Sequence, residues 1–291
     1  FVSIAKNTVI ITAPDQIEAI YGEEMAINIT VETISSEPVI DNLTVIIDGA
    51  SYGSIATNST GIAVLVLQSL EPGNHTIIIE MQGNEYYLYA SHTIIVTVKC
   101  EPEISNVIVQ SGNYGMEVNV SGAISGAVSS YDLIKLKAIV NNETYTIAIQ
   151  SDGTWELVIP ANFPAGTFDL ELIIESTDYI LSAYYRVSFT RAPAMLDVEL
   201  EPINRTFNDV SDVSGRVMFN ETPVANVSLQ IYIDGNLVSE IHASIDGTFT
   251  LPYSIFSLEP GTYVLKIVAT SSDSNYAESS VVQNIVIEKD D

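Results

Sequence analysis

The sequence predicts an all-β protein that consists of three tandem copies of one small β-sandwich domain. Three observations support this prediction: the sequence repeats itself, its apolar residues alternate with a period of two, and turn residues recur at short intervals. A proline-containing turn ends in Gly73, Gly166 and Gly261, which are 93 and 95 residues apart. The 291 residues therefore provide about 95 residues per repeat, enough for a small independent core.

Each repeat carries four landmarks in the same order: a turn rich in Asp, Asn and Gly, a glycine turn, the proline turn and a tyrosine. In chain order they are Asp48-Gly49, Gly61, Gly73 and Tyr86, then Asn141-Asn142, Gly153, Gly166 and Tyr179, then Asp234-Gly235, Gly247, Gly261 and Tyr276. Because four landmarks recur three times in one order, the repeats are copies of one domain.

The domain boundaries follow from this spacing. We predict an N-terminal strand extension at residues 1–6 and domains at residues 7–99, 100–190 and 191–291. The links Cys100-Glu101-Pro102 and Arg191-Ala192-Pro193-Ala194 are short and contain proline. Such links are stiff rather than flexible, so we predict that the three domains form a rod.

Alternation within the strands indicates sheets with one buried and one wet face. Ile27, Ile29 and Val31, for example, are separated by Asn28 and Thr30. This pattern is typical of antiparallel sandwiches. Only residues 253–256 are expected to form a helical turn.

The chain is strongly acidic, with 37 Asp and Glu residues against 10 Lys and Arg and a formal net charge of −27. The three predicted domains carry net charges of −9, −8 and −10, so the charge describes a solvated surface rather than an acidic tail. Nucleic acid is excluded as a partner because phosphate needs a basic footprint. Anionic lipid is disfavoured for the same reason, and no apolar run is long enough to span a membrane.

The ends of the first and third repeats resemble a known family. Gly73-Asn74-His75-Thr76-Ile77 with Asn84-Glu85-Tyr86, and Leu258-Glu259-Pro260-Gly261-Thr262-Tyr263 with Ser274-Asn275-Tyr276, are similar to bacterial and archaeal immunoglobulin-like (Big) repeats. The first repeat also has the family's opening Tyr21-Gly22-Glu23-Glu24, whereas the second departs from it with Ser111-Gly112-Asn113-Tyr114-Gly115. The resemblance implies three Ig-like β-sandwiches, a fold that serves in stalks, adhesins, surface layers and filament subunits.

Asparagine residues in Asn-x-Ser/Thr sequons are more frequent than chance. Random placement of Ser and Thr predicts about three to four sequons, whereas nine of the 19 asparagines have one. We therefore predict N-linked glycans, an extracellular location and an archaeal source. The predicted acceptors are Asn28, Asn42, Asn58, Asn74, Asn119, Asn142, Asn204, Asn220 and Asn226.

Residues with catalytic potential do not form a recognisable site. The histidines His75, His92 and His242 fall on positions that make no metal pair, and no phosphate loop or nucleophile elbow is present. We predict that the chain is not an enzyme and has no cofactor apart from glycans.

Three smaller questions stay open from the residues alone. Calcium could use the oxygen ligands of Asn208, Asp209 and Asp212, or those of Glu101 and Glu103. The single cysteine, Cys100, is interpreted as a packed residue, with an intermolecular disulfide as the alternative. The single tryptophan, Trp155, is expected to pack in a core or at a joint between domains.

The functional prediction is a secreted structural subunit of an archaeal cell-surface filament or sheath, a homopolymer that assembles head to tail. The alternative is a stalk segment of a surface-layer protein or adhesin, either monomeric or part of a longer anchored chain. For the polymer, we predict that Phe1, Val2 and Ile4 form a donor strand that pairs with an open sheet edge of a neighbouring subunit. Otherwise residues 1–6 extend the first strand or are the cut end of a preceding domain.

Overall fold

The computed structural model describes residues 5–68 and 70–289. Its contacts divide the chain into two compact units. One unit comprises Phe1–Ile108, Ser121–Leu157 and Leu170–Val187, and the other comprises Val109–Val120, Val158–Asp169 and Ser188–Asp291. The regular structure of the described residues consists of β-strands and two short 3-10 helices, Tyr131–Leu133 and Tyr253–Phe256. The all-β prediction and the predicted turn at residues 253–256 are therefore confirmed.

The first sandwich belongs to the first unit and has a five-stranded sheet, β2-β8-β7-β4-β5, and a three-stranded sheet, β1-β3-β6. Its core lies between the two sheets and includes Ile29, Val45, Ile79 and Ile94, which are fully buried. The strands are β1 (Val9–Thr12), β2 (Gln16–Ile20), β3 (Met25–Thr33), β4 (Asn42–Ile47), β5 (Ala50–Ala56), β6 (Ile62–Leu67), β7 (Gly73–Met81) and β8 (Ala90–Lys99).

The middle repeat has the same arrangement of strands. Its sheets have the orders β10-β16-β15-β12-β13 and β14-β11-β9. The strands are β9 (Glu101–Val109), β10 (Gly112–Asn113), β11 (Val118–Ala127), β12 (Leu136–Val140), β13 (Glu143–Ile147), β14 (Thr154–Ile159), β15 (Gly166–Ile174) and β16 (Ala183–Ala192).

The last sandwich belongs to the second unit. Its five-stranded sheet is β19-β27-β25-β22-β23, and it faces the sheet β18-β20-β21, in which β24 also pairs with β20. A short parallel pair joins β17 and β26. The strands are β17 (Ala194–Met195), β18 (Asp197–Leu200), β19 (Asn204–Thr206), β20 (Val213–Phe219), β21 (Thr222–Pro223), β22 (Ser228–Ile233), β23 (Asn236–His242), β24 (Thr248–Leu251), β25 (Gly261–Thr270), β26 (Tyr276–Ala277) and β27 (Ser279–Glu288).

One local feature shows how the sequence produces this fold. The first landmark of each repeat is the two-residue turn that joins the last two strands in the order of the five-stranded sheet, namely β4–β5, β12–β13 and β22–β23. Both central residues have positive φ in all three turns, for example 50° at Asp48 and 79° at Gly49. Positive φ at both positions is the type I′ geometry that matches strand twist, which Asn, Asp and Gly tolerate best.

The strand order identifies the fold. In the first two repeats the first, third and sixth strands form one sheet, and the other sheet joins the fourth, seventh and eighth, as in immunoglobulin-like sandwiches. In the last repeat β18, β20 and β24 form the corresponding sheet, and β22, β25 and β27 lie together in the other. The prediction of tandem Ig-like β-sandwiches is thereby confirmed. The boundaries at residues 99/100 and 190/191 and the rod stay predictions.

Candidate glycan acceptors and assembly surfaces

All nine sequon asparagines are exposed. Asn28, Asn42, Asn74, Asn119 and Asn204 lie in strands, whereas Asn58, Asn142, Asn220 and Asn226 lie in turns. Eight of the ten other asparagines are exposed as well, so exposure permits a glycan at each sequon without identifying the sites that carry one. Glycosylation stays a prediction, which the intact mass of natively produced protein checks against the 31.5 kDa of the bare chain.

The first paired residue of each sandwich lies beside the segment that precedes its last strand, β8, β16 or β27. Asn7 bridges Tyr87, Cys100 bridges Ile180, and Ala194 pairs with Tyr276, all in parallel orientation. The backbone N–H of each first residue donates to the residue before its partner, over 2.8–2.9 Å. This shared corner is the place where the chain enters each domain.

At the corner of the third domain, an aromatic ring of the second domain packs against two rings of the third. All three rings belong to the second unit. The ring of Tyr114 stacks on Phe219 at 5.6 Å between centroids and meets the ring of Tyr276 edge-on at 5.6 Å. Asn275 also accepts a hydrogen bond from the N–H of Ala165 at its Oδ1 atom, over 2.7 Å. These contacts make the joint between the second and third domains a packed interface.

Tyr114 belongs to a feature that every domain shares. The backbone N–H groups of Tyr21, Tyr114 and Phe207 donate to the last strand of their own domain, at Lys99, Ala192 and Glu288. The residue after each ring has positive φ: 84° at Gly22, 87° at Gly115 and 76° at Asn208. The expected departure of the second repeat at Ser111–Gly115 is therefore a difference in sequence only, because the backbone keeps the same geometry.

A buried arginine holds the loop that presents Tyr114. Arg191 is fully buried, and its guanidinium donates to the carbonyl oxygens of Pro160 at 3.0 Å, Ala161 at 2.7 Å and Met116. Burial lowers the pKa of Arg191. This role of Arg191 could not be predicted from the sequence, since the three carbonyls come from segments that are distant from it along the chain.

The first domain exposes its corner. Tyr86, Leu88 and Tyr89 are 58%, 46% and 53% exposed, and Ile34, which follows Thr33, the counterpart of Phe219, is 72% exposed. The N–H of Ile34 donates to the carbonyl of Thr8, next to the corner. We call Ile34, Tyr86, Leu88 and Tyr89 the head surface.

In the last domain the half-buried counterpart of Tyr114 lies at an open surface. Phe207 lines an open depression of about 710 Å³ together with Val210, Tyr253 and Tyr263. Val210 is 69% exposed and Tyr253 is 45% exposed. We call Phe207, Val210 and Tyr253 the tail surface.

An open strand edge is the third assembly feature. Strand β6 ends its sheet, and among the described residues no strand pairs with its other side. The outward side chains of Ile62, Val64 and Val66 are 39%, 49% and 43% exposed. Because the N–H of Val31 donates to the carbonyl of Gly61, alternation of the ladder directs the backbone groups of Val64 and Val66 to the open side.

His75 joins two of the repeat landmarks. Its Nδ1 atom is 2.7 Å from Oδ2 of Asp48, and its Nε2 atom is 2.6 Å from the carbonyl oxygen of Glu71. Partial burial opposes the charged ring, but the hydrogen bonds to Asp48 and Glu71 outweigh it, so the pKa of His75 is raised. The bond from His75 in turn lowers the pKa of Asp48.

The pKa of His75 predicts a pH-dependent stability of the first domain. A raised pKa contributes stability that is fully present below the ordinary value of about 6.5 and is lost as pH rises through the higher folded value. Tyr263 occupies the corresponding place in the last domain, where its hydroxyl donates to the carbonyl oxygen of Glu259 over 2.8 Å. We expect His75→Tyr to flatten the fall in stability above about pH 6.5, measured by denaturation of both proteins across pH. Equal slopes for the two proteins would contradict this assignment.

The remaining predicted residues are placed as follows. Cys100 is fully buried, which confirms the packed interpretation and leaves no accessible thiol for an intermolecular disulfide. Trp155 is 1% exposed, as expected for a core residue. Phe1, Val2 and Ile4 lie outside the described residues, so the donor strand stays a prediction.

The possible metal ligands are not brought together. Within residues 5–68 and 70–289, no three or more His, Cys, Asp or Glu side chains are grouped so that they could hold a metal ion. Oδ1 of Asp209 accepts two hydrogen bonds from Ser211, and Oδ1 of Asp212 accepts one from the N–H of Tyr253. Glu101 and Glu103 are exposed. His92 lies opposite Ile79 on β7, and His242 lies in the last domain.

Across the described part of the chain, no helix has the length and apolar character that a membrane span requires.

No family model matches the chain, and no curated protein matches it in sequence. Among solved structures it is similar to part of a 1.5-MDa bacterial ice-binding adhesin, with 12% identity over 98% of this chain and 100% of the other and a TM-score of 0.35. An I-band fragment of titin has 11% identity over 97% and 99% of the two chains, with a TM-score of 0.40. Sidekick-1 immunoglobulin domains have 12% identity over 97% and 58%, with a TM-score of 0.38. These structural similarities are too weak to support the assignment by themselves. The order of the strands in the sheets supports it: the chain is a tandem Ig-like β-sandwich protein.

Proposed function

We propose that the chain is a secreted, N-glycosylated structural subunit of an archaeal cell-surface filament or sheath, and that copies of it assemble head to tail. One observation carries the proposal. At its head surface the first domain exposes apolar side chains next to Thr33 and Tyr87, which are the counterparts of Phe219 and Tyr276 in the joint between the second and third domains. The ring that corresponds to Tyr114, namely Phe207, is half-buried and lines the open depression of the tail surface.

Contact between a tail surface and the head surface of a second copy would repeat the internal joint. Phe207 and Val210 would then cover Ile34 and Leu88, as Tyr114 covers Phe219 and Tyr276. The two surfaces belong to different domains, so the contact is heterologous and propagates instead of closing into a dimer. Because each copy carries a net charge of −27, screening by salt should strengthen the contact.

The N-terminal donor strand belongs to the same proposal. The segments that lead into the corners of the second and third domains are the last strands of the preceding domains, β8 and β16. By the same course of the chain, residues 1–6 would run beside the last domain of the preceding copy in a polymer. That domain already contains its own last strand, β27, so Phe1, Val2 and Ile4 would add to an open edge and not fill a vacancy.

The alternative is a stalk segment of a surface-layer protein or adhesin. The packed joint around Tyr114 favours it, because a joint with fixed side-chain contacts suits a spacer as well as a subunit. In a stalk, the head and tail surfaces would be covered by neighbouring domains of one longer chain. The two functions therefore differ in whether isolated copies of this chain associate.

Sedimentation of the purified chain at increasing salt tests the proposal. We expect the wild type to form polymers, and Leu88→Lys and Val210→Lys to weaken association about tenfold or more, because each places a charge in an apolar contact. Ile245→Lys is the matched control, since Ile245 is 88% exposed and lies outside both surfaces. Circular dichroism verifies that every variant is folded.

Each result has a distinct meaning. A wild type that stays monomeric at every salt concentration would overturn the polymer and support the stalk. Polymers that persist in Leu88→Lys and Val210→Lys would overturn the end-to-end contact. Deletion of residues 1–6 should also abolish polymers, and normal polymers from the truncated protein would remove the donor strand alone.

A further inference from the structure

The open edge of β6 differs from the same edge in the other two domains. In β14, the corresponding strand of the middle repeat, the outward residues are Thr154, Glu156 and Val158, and in β24 they are Thr248 and Thr250. In β6 every residue is apolar, and the outward Ile62, Val64 and Val66 are exposed. Proteins usually protect edge strands with charged or polar side chains. The first domain alone lacks this protection.

We propose that β6 pairs with β6 of a second copy, which joins copies side by side through a continuous sheet. The inference goes beyond the proposed end-to-end polymer but rests on it for its biological meaning, since lateral pairing turns filaments into bundles or a sheath. The occupant is a second copy because the edge is complementary to itself. Its free N–H and C=O groups at Val64 and Val66 match the same groups in an antiparallel partner centred on Leu65.

The absence of charged residues from β6 also favours a second copy as the partner of this edge. Two copies that each carry a net charge of −27 repel one another, and β6 is a strand without any charged residue. A basic or acidic partner would find no complementary group on this edge. Two identical uncharged edges can meet without burying a carboxylate.

The predicted glycans leave room for this contact. Asn28 lies directly opposite Val64 on β3, so its glycan would project from the face of the sheet and not from the edge. Asn58 lies at the Ile62 end, where its backbone N–H donates to the carbonyl of Ile62 and its Oδ1 accepts from the N–H of Ile62. Val64 and Val66 at the centre therefore stay accessible.

The pairing of six residues per copy is a small contact, so we expect it to be weak between free copies. Along a filament the same contact would recur at every subunit, and effective concentration would strengthen it. Lateral association should therefore be strong between polymers and modest between isolated chains.

The test uses the full chain with its end-to-end contact blocked by Leu88→Lys. In sedimentation equilibrium we expect this protein to form a dimer, and Val64→Lys with Val66→Lys to weaken the dimer about tenfold or more. Val158→Lys is the matched control, because Val158 is a 47% exposed valine on the same edge of the middle domain. A monomeric Leu88→Lys protein, or a dimer that survives both lysines in β6, would overturn the inference.

Cysteine crosslinking gives the geometry directly. In an antiparallel pair centred on Leu65, position 64 of one copy lies opposite position 66 of the other, at about 5.5 Å between Cα atoms, which a disulfide can bridge. We expect Val64→Cys with Val66→Cys to give a covalent dimer on mild oxidation, and Glu156→Cys with Val158→Cys to stay monomeric. The opposite result would overturn the pairing. Polymerisation that continues in Leu88→Lys would instead count against the end-to-end contact, so the two failures are distinguishable.

Discussion

Replacement of Trp155 by alanine is expected to lower the free energy of unfolding of the middle domain by about 3–5 kcal/mol, the cost of removing a fully buried aromatic side chain. Trp155 lies over Gly122, where an added Cβ atom would stand 2.3 Å from Cζ2 of the indole. Hydrogen exchange of β11 and β14 in the full chain measures the loss for this domain separately from its neighbours.

The same pair of positions predicts a compensating variant. The equivalent pair in the last domain has the same arrangement, with Gly215 opposite Phe249. In the first domain the large residue, Ile29, lies on the strand where the other domains have glycine, and the small residue, Ala63, lies opposite it. Gly122→Ile alone should clash with Trp155 and cost about 2–3 kcal/mol. Combined with Trp155→Ala, it should recover about 2 kcal/mol relative to the sum of the single effects. Additive effects would show that the two residues do not compensate.

Removal of Arg191 is the second change with a large expected effect. Arg191→Leu should destabilise the chain by about 3 kcal/mol, because three carbonyl oxygens lose a charged, fully buried donor at once. Arg191→Lys should recover only part of the loss, since an ammonium group cannot reproduce the planar fork of the guanidinium. Chemical denaturation of the three proteins checks both effects.

The position of Arg191 adds a second readout. The N–H of Gly115 donates to Ala161, one of the acceptors of Arg191, so loss of the arginine should also loosen the loop that holds Tyr114. Faster hydrogen exchange around residues 114–116 is the expected sign. Unchanged stability in Arg191→Leu would show that water replaces the guanidinium without cost.

Much of the fold could be predicted because local patterns decide it. Alternation placed Asn28 on the wet side of its strand, and Asn28 is exposed. The turn at Asp48-Gly49 has the positive φ values that these residue types favour.

The assembly surfaces could not be predicted because they depend on sheet order and distant contacts. Six consecutive apolar residues in β6 read as a strand buried on both faces, and only the order β1-β3-β6 shows that one side is open. Arg191 was assigned to a link between domains, yet its partners lie at residues 116, 160 and 161. Tyr114 was assigned to a divergent segment, although its backbone geometry matches that of Tyr21.

Electron microscopy of the material purified from the producing cells tests the central claim most directly. If the chain is a self-assembling structural subunit, the images should show long filaments or sheets in which copies of this chain follow one another. The intact mass of each copy in the same material should exceed that of the bare chain. Dispersed single particles of the chain, or the chain embedded as a segment of a longer anchored protein, would contradict the account.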